Sequence, residues 1–250
     1  MANLSAEEIA VCTANDILPD TLPAHIAIVM DGNGRWAKKR FMPRVVGHKH
    51  GAESLRRTIN QCGKLGIRFL SVYVFSTENW KRSTDEVSFL MGFIRDMLIQ
   101  ETPKLHAQHV KIKVLGDLAQ LSPELSAQIQ KSESITANND RLQFNLLVNY
   151  GSRREIVQAV EKIAHDLSTG VLTTIDEAAI SDRLYSAGIP DPDIVIRTGG
   201  DTRISNFLLW QSAYAELFFL DILWPDFDEA QLVSVIQQYQ RRDRRFGGVK

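Results

Sequence analysis

Asp31-Gly32-Asn33-Gly34-Arg35 places an acid, two glycines and a cation directly behind the apolar run His25 to Met30. Glycines let backbone N–H groups come close to phosphate oxygens. An aspartate beside them suits a hard cation such as Mg²⁺, which takes one or two carboxylates together with substrate phosphate oxygens. Arg35 and Arg44, with Arg197 and Arg203 from a distant loop, have the fork geometry that clamps phosphates in pairs of hydrogen bonds. His48 follows the basic stretch Lys38-Lys39-Arg40 closely enough to reach the same anion. Ser76 and Ser205 read as phosphate hydrogen-bond donors, because the chain has neither G-x-S-x-G nor a nucleophile–base pair. Taken singly, each arginine is equally well a solvated surface charge. Four of them at predicted strand ends favour an anion site.

The same glycines raise a rival. Gly32-Asn33-Gly34-Arg35-Trp36-Ala37 matches G-x-G-x-x-G/A, so a nicotinamide or flavin oxidoreductase is the first alternative. That fingerprint needs an acid about 20 residues on, at the end of a second strand. Glu53 falls within a predicted helix and Glu78 comes too late. Asp31 would also repel a pyrophosphate unless a cation intervened. No G-x-x-x-x-G-K-[ST] occurs, which removes a P-loop. His106 and His109 have H-x-x-H spacing without further ligands, so packing or surface roles outrank zinc. Cys12 and Cys62 form no disulfide framework, and Cys62 lies on an apolar helical stripe.

These residues need a scaffold that gathers strand ends. His25 to Met30, Arg68 to Phe75, Val110 to Leu115, Leu142 to Val148, Asp193 to Ile196 and Ala213 to Leu220 read as strands of continuous hydrophobicity. Helices are predicted over Gly47 to Leu65, from Thr84 onward, over Pro123 to Ala137, Arg153 to Leu167 and Asp176 to Ala187, and from Asp228 onward. Such alternation indicates an α/β fold, a single domain with a mostly parallel central sheet flanked by helices. Ligands then bind at the carboxyl ends of the strands. Residues 1–22 read as a polar, partly mobile lead-in, and residues 23–250 as the catalytic domain.

The chain has 250 residues and a net charge of -1, so no global field draws it to nucleic acid. The N-terminus lacks a basic leader with an apolar core, and no stretch approaches the ~18 apolar residues of a spanning helix. The expected location is cytoplasmic, with at most loose association with the inner membrane face.

HIAIVMDGNGRWAKKR, FSTENWKRS, IRTGGDTRISNFLLWQSAYAELFF and LWPDFDE, in that order, closely resemble the motifs of the cis-prenyltransferase family, over about His25 to Gly248. D-D-x-x-D, the mark of the trans enzymes, is absent. The resemblance implies repeated condensation of isopentenyl diphosphate onto farnesyl diphosphate with cis geometry, by a Mg²⁺-dependent homodimer. The implied product is undecaprenyl diphosphate, which feeds the lipid carrier of bacterial cell-wall synthesis and partitions to membrane; the protein itself is at most peripheral.

Carried residue by residue, the resemblance makes Asp31 the central catalytic acid and a Mg²⁺ contact. Gly32, Asn33, Gly34 and Arg35 cradle the allylic diphosphate, assisted by Arg44 and His48, with Trp36 beside it. Ser76, Thr77, Glu78, Asn79, Trp80 and Arg82 match a loop over the reacting centre, with Asn79 the family's proton acceptor. A neutral amide is a poor base, so Asn79 is expected to orient substrate or relay the proton to a diphosphate oxygen or Asp31. Arg197, Arg203, Ile204 and Ser205 match the isopentenyl diphosphate pocket, and Glu216 the second metal contact. Thr202 departs from the histidine common among relatives and receives no role.

A growing prenyl tail needs an apolar channel. Val87, Leu90, Met91, Ile94 and Leu98, with Leu142, Phe144 and Leu146, are candidates to line it, with ordinary core as the competing reading. Some superfamily members are non-catalytic partner subunits; this chain retains Asp31, Arg35 and Asn79, which argues for a self-sufficient enzyme. The basic tail Arg241 to Gly248 carries R-x-G at Arg245-Phe246-Gly247, placed to reach a neighbouring subunit.

Overall fold

The structure is a computed structural model and describes residues 4–243. It is α/β, with an all-parallel sheet flanked by helices. The strands are β1 (His25–Val29), β2 (Phe69–Ser76), β3 (Val110–Leu115), β4 (Leu142–Tyr150), β5 (Ile194–Arg197) and β6 (Glu216–Phe219). The helices are α1 (Ala6–Ala14), α2 (Asn33–Lys39), α3 (Arg44–Leu65), α4 (Thr84–Ala107), α5 (Pro123–Thr136), α6 (Ser152–Ser168), α7 (Glu177–Ser181) and α8 (Glu229–Gln240). By the density of its contacts the chain forms two compact units. Among the described residues, one comprises 4–72, 192–203 and 212–243, the other 73–191 and 204–211.

In the first unit, β1, β5 and β6 pair in parallel, with Val29 opposite Arg197 and Ile194 opposite Glu216. All five β1 residues are buried, as the unbroken apolar run requires. Asp193 ties down the base of this layer, its carboxylate accepting the N–H groups of Ala24 and His25. Helix α3 presents a narrow face of small residues, Gly47, Gly51, Ser54 and Thr58. That face lets α2 approach closely: a Cβ on Gly47 would lie 2.1 Å from the Asn33 carbonyl oxygen. These small residues set the approach of α2, while Ile59 and Cys62 further along α3 are buried in the core and Ala52 and Leu55 are half-buried.

Part of the lead-in, Ala6–Ala14, is helical. Ser5 and Glu8 form a capping box at the start of α1, and buried Cys12 directs its thiol to the Leu65 carbonyl of α3. The lead-in looked polar because a short helix with one buried edge needs few apolar residues. Helix α2 was likewise unforeseen, since its Asn-Gly start has poor helix propensity.

In the second unit, β3 and β4 pair in register from Val110–Leu142 to Leu115–Leu147, and α4 packs on α5 and β3. The α4 stripe buries Val87, Leu90, Ile94 and Leu98, whereas Met91 and Met97 are half-buried. A polar cluster fixes the segment Ile204–Gln211 within this unit. Buried Glu155 accepts from the Tyr150 hydroxyl, the Gln211 amide and the Tyr185 N–H. Burial pushes the Glu155 carboxyl above its ordinary value, although these donors act against the rise.

Candidate active site

The carboxyl ends of β1 and β5 bring together residues far apart in sequence. Asp31 lies two residues beyond β1, and its backbone is held on both sides. Its N–H donates to Thr198 Oγ1 at 3.1 Å, and its carbonyl accepts the Trp224 N–H at 3.0 Å. Gly32 then turns the chain at φ 112°, a left-handed value that glycine reaches without penalty. Helix α2 starts at once, and its N-cap offers no side chain to its first-turn N–H groups.

The Asp31 carboxylate is bridged by two guanidinium groups. Oδ1 lies 2.9 Å from Arg35 Nη2 and Oδ2 lies 2.9 Å from Arg197 Nη2. The same Arg197 nitrogen contacts Asp201 Oδ2 at 2.9 Å, and Arg203 Nη2 reaches that oxygen at 3.0 Å. Charges thus alternate along Arg35–Asp31–Arg197–Asp201–Arg203. Three cations face two carboxylates, so the row carries one excess positive charge. Burial alone would raise the Asp31 carboxyl, but hydrogen bonds from Arg197 and Arg35 outweigh it and hold the group below its ordinary range. Arg44 extends the cationic surface, its Nε 2.9 Å from where a Cβ on Gly34 would stand. His48 lies half-buried one turn along α3.

Three assigned residues of this unit sit differently from expectation. The Asn33 side chain turns into α3, with Oδ1 buried against Gly51 and without a hydrogen-bond partner among the described residues. The Trp36 indole is mostly covered: it donates to Asp226 at 2.6 Å, and Arg40 and His50 lie over its ring. Glu216 is level with Ile194 and hence with Ile26, at the amino ends of the strands. Asp31 is five residues further along β1, about 16 Å at strand rise. Glu216 pairs instead with Arg242 at 2.5 Å. Within one chain it cannot share a metal with Asp31, because the parallel register sends the two to opposite ends.

In the second unit, the turn after β2 is internally braced. Asn79 Oδ1 accepts the Ser76 N–H at 3.0 Å, and the Ser76 hydroxyl accepts the Asn79 N–H. Trp80 Nε1 donates to Asn149 Oδ1 at 2.7 Å, and Arg82 pairs with Glu86 at 2.9 Å. Glu78 accepts from Asn206 at 2.9 Å and from Thr77 at 3.2 Å. Burial would raise its carboxyl, but these donors and the backbone hold it low. Exposed Ser205 and half-buried Ile204 open the segment that Asn206 ties down. Ser205, Asn206 and Leu208 all adopt left-handed φ, 50°, 64° and 45°, a concentration of costly backbone typical of functional loops.

Three participants escaped sequence reasoning: Thr198, Asp201 and Asn206. Asp201 stands four residues after Arg197 in IRTGGDTRIS, and that spacing was its only signal. The Arg245-Phe246-Gly247 element lies outside the described residues.

For Mg²⁺, the donor chemistry at Asp31 fits: one partly exposed carboxylate beside cations that would hold a phosphate ligand. No cluster of three or more metal-binding side chains exists among the described residues, so the protein would supply few ligands itself.

Comparison with known proteins decides what such a site belongs to. The prenyltransferase family model described as undecaprenyl diphosphate synthase matches residues 29–247. The chain belongs to that family. It is 48% identical to the isoprenyl transferase of Neisseria gonorrhoeae over 226 residues, 90% of each chain. The isoprenyl transferase of Heliobacterium mobile is 49% identical over 248 residues, 98% of this chain and 95% of that one. Among solved structures, lavandulyl diphosphate synthase from Lavandula x intermedia, in complex with dimethylallyl diphosphate, superposes with TM-score 0.88. It is 36% identical, and the match covers 91% of this chain and 99% of the other. A probable undecaprenyl diphosphate synthase from Campylobacter jejuni gives TM-score 0.76 at 31% identity, covering 90% and 98%. The chain is thus a prenyltransferase. No described helix is long and apolar enough to cross a membrane.

Proposed function

We propose that this prenyltransferase condenses isopentenyl diphosphate repeatedly onto farnesyl diphosphate with cis geometry, giving undecaprenyl diphosphate. The observation that carries the reading is the Asp31 carboxylate bridged by Arg35 and Arg197 at the carboxyl ends of β1 and β5. In each cycle the allylic C–O bond breaks, a carbon–carbon bond forms to the isopentenyl alkene, and a proton leaves its C2. Diphosphate departs with the bonding electron pair.

Arg35 and Arg44 bind the allylic diphosphate, and their fixed cations stabilise the negative charge that develops as it leaves. Asp31 would hold Mg²⁺, which would supply Lewis-acid stabilisation of the same leaving group. Arg197 and Arg203 bind the isopentenyl diphosphate. Asn79 orients the isopentenyl group instead of acting as base, since its Oδ1 already accepts the Ser76 N–H. Asp31 is held too acidic to be a good base, which favours a diphosphate oxygen as the proton's destination. The α4 face with half-buried Phe89, Met91 and Phe93 borders the growing chain; each added unit brings five carbons, worth on the order of 4 kcal/mol at ~0.8 per CH₂.

We place the enzyme in the cytoplasm as a homodimer. The edge strand β6 supports the dimer by exposing Leu217 and Phe219. Incubation with farnesyl and isopentenyl diphosphates and Mg²⁺, followed by dephosphorylation and chromatography, is expected to give a C55 alcohol, with EDTA abolishing it. A short product would retain the family chemistry and overturn the undecaprenyl assignment; full activity in EDTA would overturn the role of Asp31.

A further inference from the structure

The turn between α2 and α3 has features that prenyl transfer does not explain. Phe41 is 100% exposed, the highest value among the large apolar residues of the described chain, and neighbouring Met42 is 43% exposed. Phe41 also sits at φ 56°. Its N–H bonds to the Lys38 carbonyl at 3.1 Å, and the Met42 N–H bonds to the Ala37 carbonyl at 2.9 Å. Those two bonds are the Schellman termination of α2, with Phe41 at the left-handed position that glycine ordinarily fills. A bulky aromatic is an outlier there, and no burial offsets the cost. The sequence accepts a poorer helix end in order to present this ring to solvent.

The ring stands in a basic setting. Lys38 and Lys39 are exposed, and neither has an ion-pair partner among the described residues. Arg40 lies 4.0 Å over the Trp36 ring and 3.4 Å from Asp226, the acid nearest this turn that any contact of these cations identifies. Exposed Arg44 opens α3 on the far side.

We propose that this turn is a docking surface for an anionic lipid bilayer. Phe41 and Met42 enter the headgroup region, and Lys38 and Lys39 engage lipid phosphates. Aromatic rings favour that interfacial depth, and clustered lysines are drawn to anionic leaflets at about fivefold each. A second protein fits less well, because a two-residue tip falls far short of the ~800 Å² per partner of a stable interface. The inference rests on the turn alone and not on the reaction catalysed.

Co-sedimentation of the full chain with phosphatidylglycerol/phosphatidylcholine vesicles, without substrates or Mg²⁺, tests it. The wild-type chain is expected to sediment with these vesicles at low salt, to be released by about 0.5 M NaCl, and to ignore pure phosphatidylcholine. Phe41→Gly should weaken partitioning about tenfold while matching or exceeding the parental Tm, because glycine suits the left-handed position. Lys38→Gln with Lys39→Gln should weaken it about thirtyfold. Turnover on water-soluble substrates should be unchanged in Phe41→Gly. Equal binding to neutral vesicles, no binding to anionic ones, or undiminished binding by Phe41→Gly would overturn the proposal. So would a Phe41→Gly change in sedimentation coefficient without vesicles, which would make the turn a protein interface.

Discussion

Replacing Asp31 with asparagine is expected to lower turnover by about a thousandfold or more while the chain stays folded. Asparagine keeps the volume and can still accept one hydrogen bond, so the Thr198 and Trp224 contacts to the Asp31 backbone persist. The lost quantity is charge. Arg35 and Arg197 currently share one carboxylate; without it Arg197 keeps Asp201 and the Arg203 carbonyl, and the proposed metal would lose its protein ligand. Saturating Mg²⁺ should not restore kcat, and Tm should move only a few degrees. Activity within tenfold of wild type would remove Asp31 from the chemistry. The pH dependence has a definite sign. Burial pushes the Asp31 carboxyl up, but hydrogen bonds from Arg197 and Arg35 more than reverse it. Its folded value therefore lies below the unfolded value near ~3.9. The stability it contributes is present above that value and is lost as pH falls through the folded one.

Arg197→Ala should be the second large effect, and it should touch both stability and catalysis. Arg197 is 5% exposed, and its guanidinium joins Asp31 to Asp201 while donating to the Arg203 carbonyl. Removing a buried partner of this kind costs roughly 3 kcal/mol, or about 6–12 °C in Tm at this chain length. The KM for isopentenyl diphosphate should rise by about two orders of magnitude. Asp31 keeps its burial but loses one of two donors, so its carboxyl should titrate higher and carry the acid limb of the rate profile upward. Arg203→Ala provides the contrast. Its side chain is 67% exposed and, among the described residues, pairs only with Asp201, so its stability cost should stay under about 1 kcal/mol and its effect should appear in KM. Equal Tm losses in the two variants, or an unmoved acid limb in Arg197→Ala, would contradict this division.

Much of the architecture was legible because buried parallel strands are written as unbroken apolar runs. Val110–Leu115 matches its expected bounds, and Pro123 marks the start of α5 as expected. The site was legible where it depended on strand ends, since parallel pairing of β1 and β5 carries Asp31 and Arg197 to one edge. Helix α2 was obscured by Asn33 and Gly34, weak helix formers whose helix is set by the close approach of Gly47 in α3. Glu216 was matched to a metal contact by resemblance alone, which says nothing about register within the chain. The chain from Thr198 onward doubles back, so β6 restarts at the amino end of the sheet. Asp201 and Asn206 were overlooked because their roles as counter-ion and loop tie depend on contacts that no local pattern encodes. Trp36 read as a substrate neighbour, yet Asp226, distant in sequence, covers its polar edge.

On the proposed mechanism Arg35 stabilises the departing diphosphate while Arg197 holds the isopentenyl partner, with Asp31 bridging the two. Diphosphate therefore leaves only as a new carbon–carbon bond forms. Counting both products in one reaction tests it most directly. With farnesyl diphosphate, labelled isopentenyl diphosphate and Mg²⁺, the wild-type chain should release one diphosphate for each isopentenyl unit incorporated, and none when isopentenyl diphosphate is omitted. Both counts should vanish together in Asp31→Asn. Diphosphate released from farnesyl diphosphate alone, or incorporation surviving in Asp31→Asn, would contradict the account.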